Sequence, residues 1–303
     1  MAKSKLSPIV LFVYNRQDHT RKTIEALKKN IYADTSDLII FSDAPKNESV
    51  AEEVNEVRNY IKTITGFKSV KIIERKTNFG LANSIIEGVT KIVNKYGKVI
   101  VLEDDLVTSK YFLQFMNDAL ELYKNESKVA CISGYVYPIN GLPETFFIRG
   151  ADCWGWATWK SAWNLFEKDG KKLLNELEKT NMVNEFDFFG AYKFSEMLKD
   201  QIKGKNNSWA VRWYASAFLK HKFTLYPGKS LVSNIGNDTI GTHSGKVNKY
   251  AVDLSDNRVL VNKIHLQESS FSKKKFSAFF SHNSNYLSHL FYKAKDLFAG
   301  GLR

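Results

Sequence analysis

Residues 99–106 read VIVLEDDL, and this stretch decides the fold because an unbroken apolar run ends in Glu103, Asp104 and Asp105. An apolar run of this length bounded by polar residues is typical of a buried parallel strand. Ligands of open α/β sheets bind just beyond the carboxyl ends of such strands. The stretch therefore predicts an α/β protein with acidic side chains at its ligand-binding edge.

The acidic cluster itself predicts a metal site. Adjacent carboxylates repel one another, and a shared cation relieves that repulsion. Oxygen ligands favour hard cations, so the expected cofactor is Mn²⁺ or Mg²⁺. The alternative is a solvated turn in which Asp104 or Asp105 caps the next helix, predicted over Ser109 to Tyr123. Both interpretations remain open at this point.

Upstream, apolar runs alternate with amphipathic segments, which is the pattern of βαβ units and a mainly parallel sheet. The connections in such units are right-handed, so all the strand ends open on one side. We therefore expect the loops after the strands to converge on one crevice. Strands are predicted at Pro8 to Tyr14, Leu38 to Phe41, Val70 to Ile73 and Val129 to Ser133, besides the strand that ends in the acids.

Polar residues follow the first two strands. Asn15 and Arg16 come after the first, and Asp43 opens a proline turn after the second. Nucleotide-binding folds place a carboxylate at the second position, where it accepts hydrogen bonds from a base or ribose. A simple turn is the alternative for Asp43.

The loop after the third strand has the composition of a ligand-binding loop. Arg75 and Lys76 can face phosphate, Asn78 can donate and accept hydrogen bonds, and Gly80 lets the backbone approach a ligand. A plain helix start capped by Asn78 is the competing interpretation.

The composition is that of a globular protein. The chain has 303 residues, 44% of them hydrophobic, enough for one large core or two modest ones. The apolar run at 8–14 is short for a signal peptide, and no window approaches a membrane span. Cys131 and Cys153 lack metal-type spacing and are expected to be reduced thiols, which indicates a cytoplasmic location.

The C-terminal segment is strongly basic. The net charge is +12, and residues 246–303 contain ten Lys and Arg against four Asp and Glu. This asymmetry predicts an anionic partner, either nucleic acid or a membrane. In residues 270–303 aromatic side chains dominate the charges, which favours an interfacial membrane segment over nucleic acid, with a solvated terminal helix as the alternative. Each lysine near an anionic leaflet contributes ~1 kcal/mol.

The second half is aromatic and less regular, and all six tryptophans lie between Trp154 and Trp213. Strands are predicted at Thr145 to Ile148, Phe223 to Tyr226 and Leu231 to Ser233, and helices at Trp156 to Phe166, Lys171 to Lys179, Gly190 to Ile202 and Trp209 to Lys220.

The ordered loops resemble the nucleotide-sugar-binding half of GT-A-type glycosyltransferases, which have a Rossmann-like sheet with helices on both faces. The resemblance extends over residues 8–245. The order and spacing of the loops are similar to those of the bacterial family-2 enzymes and of the N-acetylglucosaminyltransferase that starts complex N-glycans, which also carries Glu-Asp-Asp. The resemblance implies a nucleotide-sugar-binding half at 1–140, an acceptor-binding half at 141–245 and a tail at 246–303. The residues that carry it are Val13 to Arg16, Asp43, Asn78 to Asn83 and Glu103 to Asp105.

The resemblance also implies roles. Asp105 would bind the metal that bridges the diphosphate, and Asp104 the ribose or sugar. Asp43, Asn78 and Asn15 would bind the nucleoside. The rest of the nucleotide-sugar set is Arg16, Arg75, Gly80 and Glu103.

Aromatic residues suggest the acceptor pocket. Trp154 is expected to stack on a sugar, since the Trp-Gly-Trp run resembles acceptor loops of galactosyltransferases. Trp156 is a second pocket candidate, although Trp156, Trp159 and Trp163 also have the helical spacing of core residues. Arg212 is placed in the pocket because its segment matches the one that holds the base in the N-acetylglucosaminyltransferase.

The general base is the least certain assignment, because no carboxylate stands in the segment around Arg212. Asp152 is the first candidate, since it follows a strand and directly precedes the aromatic run; a turn or cap residue is the alternative. Asp187, Asp200 and Asp238 are further candidates. By the resemblance His243, in a Gly-rich loop, contacts the metal or diphosphate, with a surface histidine as the alternative.

These expectations combine into an inverting, metal-dependent glycosyltransferase. It would move a sugar, most simply from a UDP-sugar, to a glycan or lipid-linked acceptor in bacterial surface-polysaccharide assembly at the inner face of the plasma membrane. One rival is a metal-dependent nucleotidyltransferase or phosphohydrolase that uses the same acids. The other, motivated by the uncertain base, is a non-catalytic protein that binds sugar nucleotides or glycans.

Overall fold

The computed structural model describes residues 5–236 and 249–283, and its first elements alternate as predicted. They are β1 (Ile9–Val13), α1 (Gln17–Lys28), β2 (Asp37–Ser42), α2 (Ala51–Ile61), β3 (Ser69–Glu74), α3 (Gly80–Tyr96) and β4 (Lys98–Glu103). The next are β5 (Leu106–Thr108), α4 (Phe112–Leu122), β6 (Val129–Ser133), β7 (Thr145–Arg149), β8 (Trp156–Trp159) and α5 (Lys160–Trp163). Then come α6 (Gly170–Lys179), α7 (Val183–Phe186), α8 (Phe194–Ile202), α9 (Trp209–Leu219), β9 (Phe223–Pro227) and β10 (Val232–Asn234). Residues 270–283 are helical and are called the C-terminal helix below.

The main sheet has eight strands in the order β3-β2-β1-β4-β8-β6-β9-β7. Strands β1 to β4 run parallel to one another, and β6 is parallel to β9. Strand β8 runs antiparallel to both β4 and β6, and β7 is antiparallel to β9. A separate two-stranded sheet pairs β5 with β10. The predicted mainly parallel α/β architecture is confirmed.

Helix α3 shows how local sequence sets the packing of the first core. Its apolar positions, among them Ile85, Val89 and Ile92, are buried against the sheet. A Cβ at Gly88 would lie 2.7 Å from the ring of Phe12, so this glycine lets the helix approach β1 closely. The helix ends at Gly97, whose left-handed backbone (φ 80°) closes the last turn.

The structure corrects the helix predicted over Trp156 to Phe166. Residues 156–159 form β8, which lies in the middle of the sheet, and only 160–163 are helical. Ala157 pairs with both Ile100 and Ile132, so each edge of this short strand is hydrogen-bonded. The three tryptophans have helical spacing although Trp156 and Trp159 belong to β8 and Trp163 to α5. All three indoles are buried in the core.

The sequence predicts a membrane-interface segment over residues 270–303, and the structure shows that part of its aromatic surface packs into the fold. Phe276 and Phe280 of the C-terminal helix are only 1% and 2% exposed and belong to a second core with helices α6 to α9. Lys273 forms ion pairs with Glu185 and Glu268 at 2.9 and 2.7 Å. These aromatic residues therefore stabilise the fold, and the rest of the predicted tail, 284–303, lies outside the described residues.

Across the ranges 5–236 and 249–283, no helix combines the length and the apolar character needed to cross a membrane.

Candidate active site

The loops after β1 to β4 lie at one edge of the sheet, because these strands are parallel neighbours. The predicted convergence of the four loops is thus confirmed. Strand β8 runs the other way, with Trp156 beside Val101, so the segment that precedes it reaches the same edge. The site is therefore formed by the carboxyl ends of four strands and the amino end of a fifth.

The acidic cluster lies in the turn between β4 and β5 and is held by the start of α1. Nη2 of Arg16 donates to Oδ1 of Asp104 and, at 2.9 Å, to Oδ2 of Asp105. The hydroxyl of Thr23 donates to the backbone carbonyl of Asp104 at 2.8 Å. Neither acid caps a helix, since β5 follows the turn directly and α4 begins only at Phe112.

Burial and mutual repulsion govern the electrostatics of this cluster. Burial raises the pKa of Glu103 well above its usual range, and the charges of Asp105 and Asp104 raise it further. Burial also raises the pKa of Asp104, against the opposing effect of Arg16. Burial alone would lower the pKa of Arg16, but Asp104 and Asp105 raise it overall and keep the guanidinium charged. The site is therefore short of positive charge.

The two aspartates fit a divalent metal whose remaining coordination positions are filled by substrate phosphates. One oxygen of each lies within hydrogen-bond reach of the same nitrogen of Arg16, so both point at one cation-sized position. Mg²⁺ typically takes one or two carboxylates and fills its shell with water and phosphate oxygens. In the described part of the chain, no group of three or more His, Cys, Asp and Glu side chains could hold a metal alone. His243, the predicted further ligand, lies outside the described residues.

Gly236 is a site residue that the sequence reasoning did not identify. The backbone N–H of Ile235 donates to the carbonyl of Asp105 at 2.9 Å, which brings the chain after β10 onto the acidic turn. A Cβ at Gly236 would overlap Oδ2 of Asp105. The available signal was the glycine-rich stretch that begins at this residue. His19 of α1 was missed as well, and its charge lowers the pKa of Asp104.

Asp43 anchors the start of α3. Its carboxylate accepts hydrogen bonds from the backbone N–H groups of Phe79, at 2.9 Å to the nearer oxygen, and of Gly80 at 2.8 Å. It also accepts one from its own neighbour Ala44 at 3.0 Å. Asn78 donates to the carbonyl of Ala44 at 2.6 Å, which joins the same two loops a second time. Two of the three predicted nucleoside ligands, Asp43 and Asn78, thus have partners within the chain.

The other predicted nucleotide-loop residues are also engaged, apart from Gly80. Asn15 donates to Glu53 at 2.7 Å, and Arg75 pairs with Glu87 at 3.1 Å while its guanidinium stacks on Phe79. Gly80 has a left-handed backbone (φ 70°), and no atom lies within 4 Å of the position that its Cβ would take. A ligand can therefore approach the helix start from this side.

Asp152 and Trp154 are half-buried and lie among aromatic side chains. Oδ2 of Asp152 accepts a hydrogen bond from the phenol of Tyr226 at 3.0 Å, and its Oδ1 accepts one from the N–H of Cys153 at 2.6 Å. Burial raises the pKa of Asp152, against the effect of these hydrogen bonds. The ring of Trp154 packs edge-to-face against the rings of Tyr135 and Tyr250, with ring centroids 4.7 and 6.2 Å apart.

Two residues predicted to line the acceptor pocket lie elsewhere. Trp156 is fully buried and stacks on Trp209 at 5.4 Å, so no face of its indole is open to a sugar. Arg212 is buried in α9, where it donates to the backbone carbonyls of Ser208 and Lys168. Both side chains therefore make structural contacts inside the fold.

The other base candidates have structural partners. Asp187 accepts hydrogen bonds from the N–H and the hydroxyl of Ser195, at 2.7 and 2.6 Å, and so fixes the start of α8. Asp200 lies 3.4 Å from the amine of Lys205. Asp238 falls outside the described residues. Among the candidates within the described ranges, Asp152 is the one that lies beside Tyr226 and Trp154.

The family model described as glycosyl transferase family 2 matches residues 9–196. One solved structure similar to this chain is a mannosyltransferase from Pyrobaculum calidifontis in complex with GDP-Man and Mn²⁺, with 12% identity over 43% of this chain and 36% of that one (TM-score 0.32). A structure of S. aureus TarS 1–349 has 12% identity over 77% of this chain and 62% of that one (TM-score 0.39). Another TarS structure has 16% identity over 47% and 24% (TM-score 0.29). The chain thus spans less than two thirds of the length of each of these structures. A search of curated proteins found no match.

Proposed function

Because the chain belongs to glycosyl transferase family 2, we propose that it moves a sugar from a nucleotide-diphosphate donor, a UDP-sugar above all, to a glycan or lipid-linked glycan. The observation that carries this proposal is the acidic turn after β4 beside the half-buried carboxylate of Asp152 and its aromatic neighbours, which we take as a pocket. The turn supplies a place for the charged leaving group. The pocket supplies a surface for the acceptor.

On the donor side, Asp105 is the principal ligand of Mn²⁺ or Mg²⁺, and Asp104 faces the ribose or the sugar. A bound divalent ion would neutralise the negative charge that builds on the departing diphosphate. The open space at Gly80 lies at the start of α3, where backbone N–H groups favour anions. The engaged carboxylate of Asp43 shapes this loop for the nucleoside.

On the acceptor side, Asp152 is the general base and Trp154 the stacking platform. The acceptor hydroxyl oxygen attacks the anomeric carbon as the bond from that carbon to the phosphate oxygen breaks. The hydroxyl proton passes to Asp152, and the nucleoside diphosphate leaves with the bonding electrons. A single displacement of this kind inverts the anomeric centre. Desolvation raises the pKa of Asp152, and a carboxylate with a raised pKa is a stronger base than an ordinary one.

The test begins with donor binding. Calorimetric titration of a panel of nucleotide sugars, with Mn²⁺ and then with EDTA, should reveal one nucleotide class whose binding requires the metal. Asp105→Asn should abolish this binding, whereas Asp118→Asn, which removes a carboxylate paired with Arg258 on the surface, should leave it unchanged. Metal-independent binding, or full binding by Asp105→Asn, would contradict the proposed metal role.

A product assay then separates the chemical outcomes. Transfer or slow hydrolysis at the sugar carbon, with nucleoside diphosphate as product, supports the proposal. Release of nucleoside monophosphate and sugar phosphate would indicate attack on the phosphoanhydride instead. Metal-dependent binding without any turnover, with a range of glycan acceptors, would indicate a binding protein.

A lipid-linked acceptor would place the enzyme at the cytoplasmic face of a bacterial membrane, in surface-polysaccharide assembly. The exposed side of the C-terminal helix supports this location, because it presents Phe271, which is 54% exposed, and Lys274, with Lys275 over the Phe271 ring at 5.1 Å. Flotation with anionic liposomes should capture the protein, and Lys274→Glu with Lys275→Glu should weaken that capture. Equal flotation with neutral and anionic vesicles would exclude the basic face as the cause.

A further inference from the structure

Arg16 lies at the position that the proposed metal would take. One of its nitrogens contacts a carboxylate oxygen of both Asp104 and Asp105, the two residues expected to hold the ion. We propose that Arg16 is an internal counter-ion that keeps the metal position closed until the donor's diphosphate draws its guanidinium away. The inference rests on the proposed function and adds to it a coupling between metal and nucleotide.

The backbone of Arg16 is fixed, whereas its side chain is partly exposed. The Arg16 carbonyl accepts hydrogen bonds from the N–H of Thr20 at 3.0 Å and from its hydroxyl at 2.8 Å, so the residue is anchored at the start of α1. Its side chain remains 19% exposed at the sheet edge. A rotation about its own torsions can therefore turn the guanidinium from the acids towards the crevice without moving the helix.

Charge explains why metal alone binds poorly in this arrangement. A divalent cation must either displace the guanidinium or share the same two oxygens with it, and the second option places like charges in contact. Both carboxylates are mostly buried, with side-chain exposures of 7% and 16%, so water screens this repulsion only weakly. The ion pair therefore lowers the affinity of the acids for metal.

A diphosphate reverses this balance. It offers the guanidinium a bidentate anionic partner, which suits arginine better than lysine, and it frees the carboxylate oxygens for the metal. Linkage then requires that the nucleotide tighten metal binding and that the metal tighten nucleotide binding by the same factor. In the wild type, metal and nucleotide should enter as a pair.

The test measures Mn²⁺ binding by the full chain directly, from the spin-resonance signal of the free ion, with and without UDP. Without UDP, Arg16→Gln should bind Mn²⁺ at least about tenfold more tightly than the wild type, which corresponds to about 1.4 kcal/mol. Arg21→Gln is the matched control, because it removes the same charge from the same helix at a side chain that stacks on Tyr60. Its Mn²⁺ affinity should equal that of the wild type.

Arg16→Lys gives a second reading should Arg16→Gln fail to fold. Lysine keeps the charge but lacks the fork that pairs with two carboxylates, so Mn²⁺ binding should tighten by a smaller factor. If the wild type binds Mn²⁺ in a UDP-dependent way and no folded variant binds Mn²⁺ more tightly, this inference is overturned while the proposed metal site stands. If wild type and variants all fail to bind Mn²⁺ even with UDP, the proposed metal is refuted, and this inference with it.

Discussion

The phenol oxygen of Tyr226 lies 3.0 Å from Oδ2 of Asp152 and donates a hydrogen bond to it. Because the N–H of Cys153 donates to the other carboxylate oxygen, the plane of the Asp152 carboxyl group is fixed from two directions. Burial raises the pKa of this carboxyl, while the Tyr226 hydrogen bond opposes that effect by favouring the charged form. The two hydrogen bonds thus fix the orientation of the carboxyl group that we propose as the base.

Asp152→Asn should lower sugar transfer by at least ~10²-fold, since the amide keeps the shape of the side chain but cannot accept the acceptor's proton. Donor affinity should change little. Initial rates and donor titrations on the same preparation measure both quantities. Asp187→Asn is the control: it should lose stability, through its bonds to Ser195, and keep its transfer rate per folded molecule. Undiminished transfer by Asp152→Asn would mean that another group is the base.

Tyr226→Phe should shift the acidic limb of the pH profile of kcat/KM to higher pH. Without the phenol hydrogen bond the pKa of Asp152 rises further, so a smaller fraction is ionised at a given acidic pH. Transfer should therefore recover towards the wild-type rate as the pH is raised. Tyr123→Phe, which removes a phenol bonded to the carbonyl of Asn262, should leave the profile in place. A uniform loss of rate at every pH would argue for a structural role only.

Gly236→Ala should impair metal-dependent donor binding more than stability. The new methyl group would overlap Oδ2 of Asp105, the oxygen that pairs with Arg16, so the carboxylate must turn away. Mn²⁺-dependent UDP titration and thermal unfolding without metal measure the two effects. Gly190→Ala lacks any atom within 4 Å of the new Cβ but adds left-handed strain at φ 84°, so it should lose stability while UDP binding stays normal. The prediction is wrong if Gly236→Ala binds UDP and Mn²⁺ as the wild type does.

Phe276→Ala should destabilise the protein by about 3–5 kcal/mol, the usual cost of removing a buried aromatic ring. The ring lies among Tyr137, Phe146 and Tyr226, with centroid distances of 5.0, 5.8 and 5.5 Å. Denaturant unfolding measures the loss, and Phe271→Ala on the exposed side of the same helix should cost far less. Equal stabilities would contradict the packed position of this helix.

The parallel half of the fold could be predicted because its strands are buried on both faces. Such strands appear as continuous apolar runs, and polar residues after each run mark the strand ends. Strand β8 could not be predicted in this way. Trp156, Trp159 and Trp163 have helical spacing, and only the pairing of Ala157 with two neighbouring strands forces the extended form.

At the candidate site, the residue types were predictable and their partners were not. The acids could be placed because they end a strand, but the contact of Arg16 with them joins residues of β1 and β4 loops that only the sheet order brings together. The Asp152–Tyr226 hydrogen bond likewise joins the loop after β7 to strand β9. Asp43 and Asn78 show the opposite case, since residues typical of ligand loops here bind the loop itself.

The packing of the C-terminal helix also bears on the order in which the protein is made. Strands β1 to β4 are synthesised before the C-terminal helix and can pair with one another, whereas Tyr137 and Tyr226 gain their contacts with Phe276 only after residue 276 has been made. We expect the nascent chain to expose this aromatic surface until then. The aromatic core around Tyr226 is therefore completed only after the C-terminal helix has been made, and a chain interrupted before residue 276 would be a substrate for chaperones and proteases.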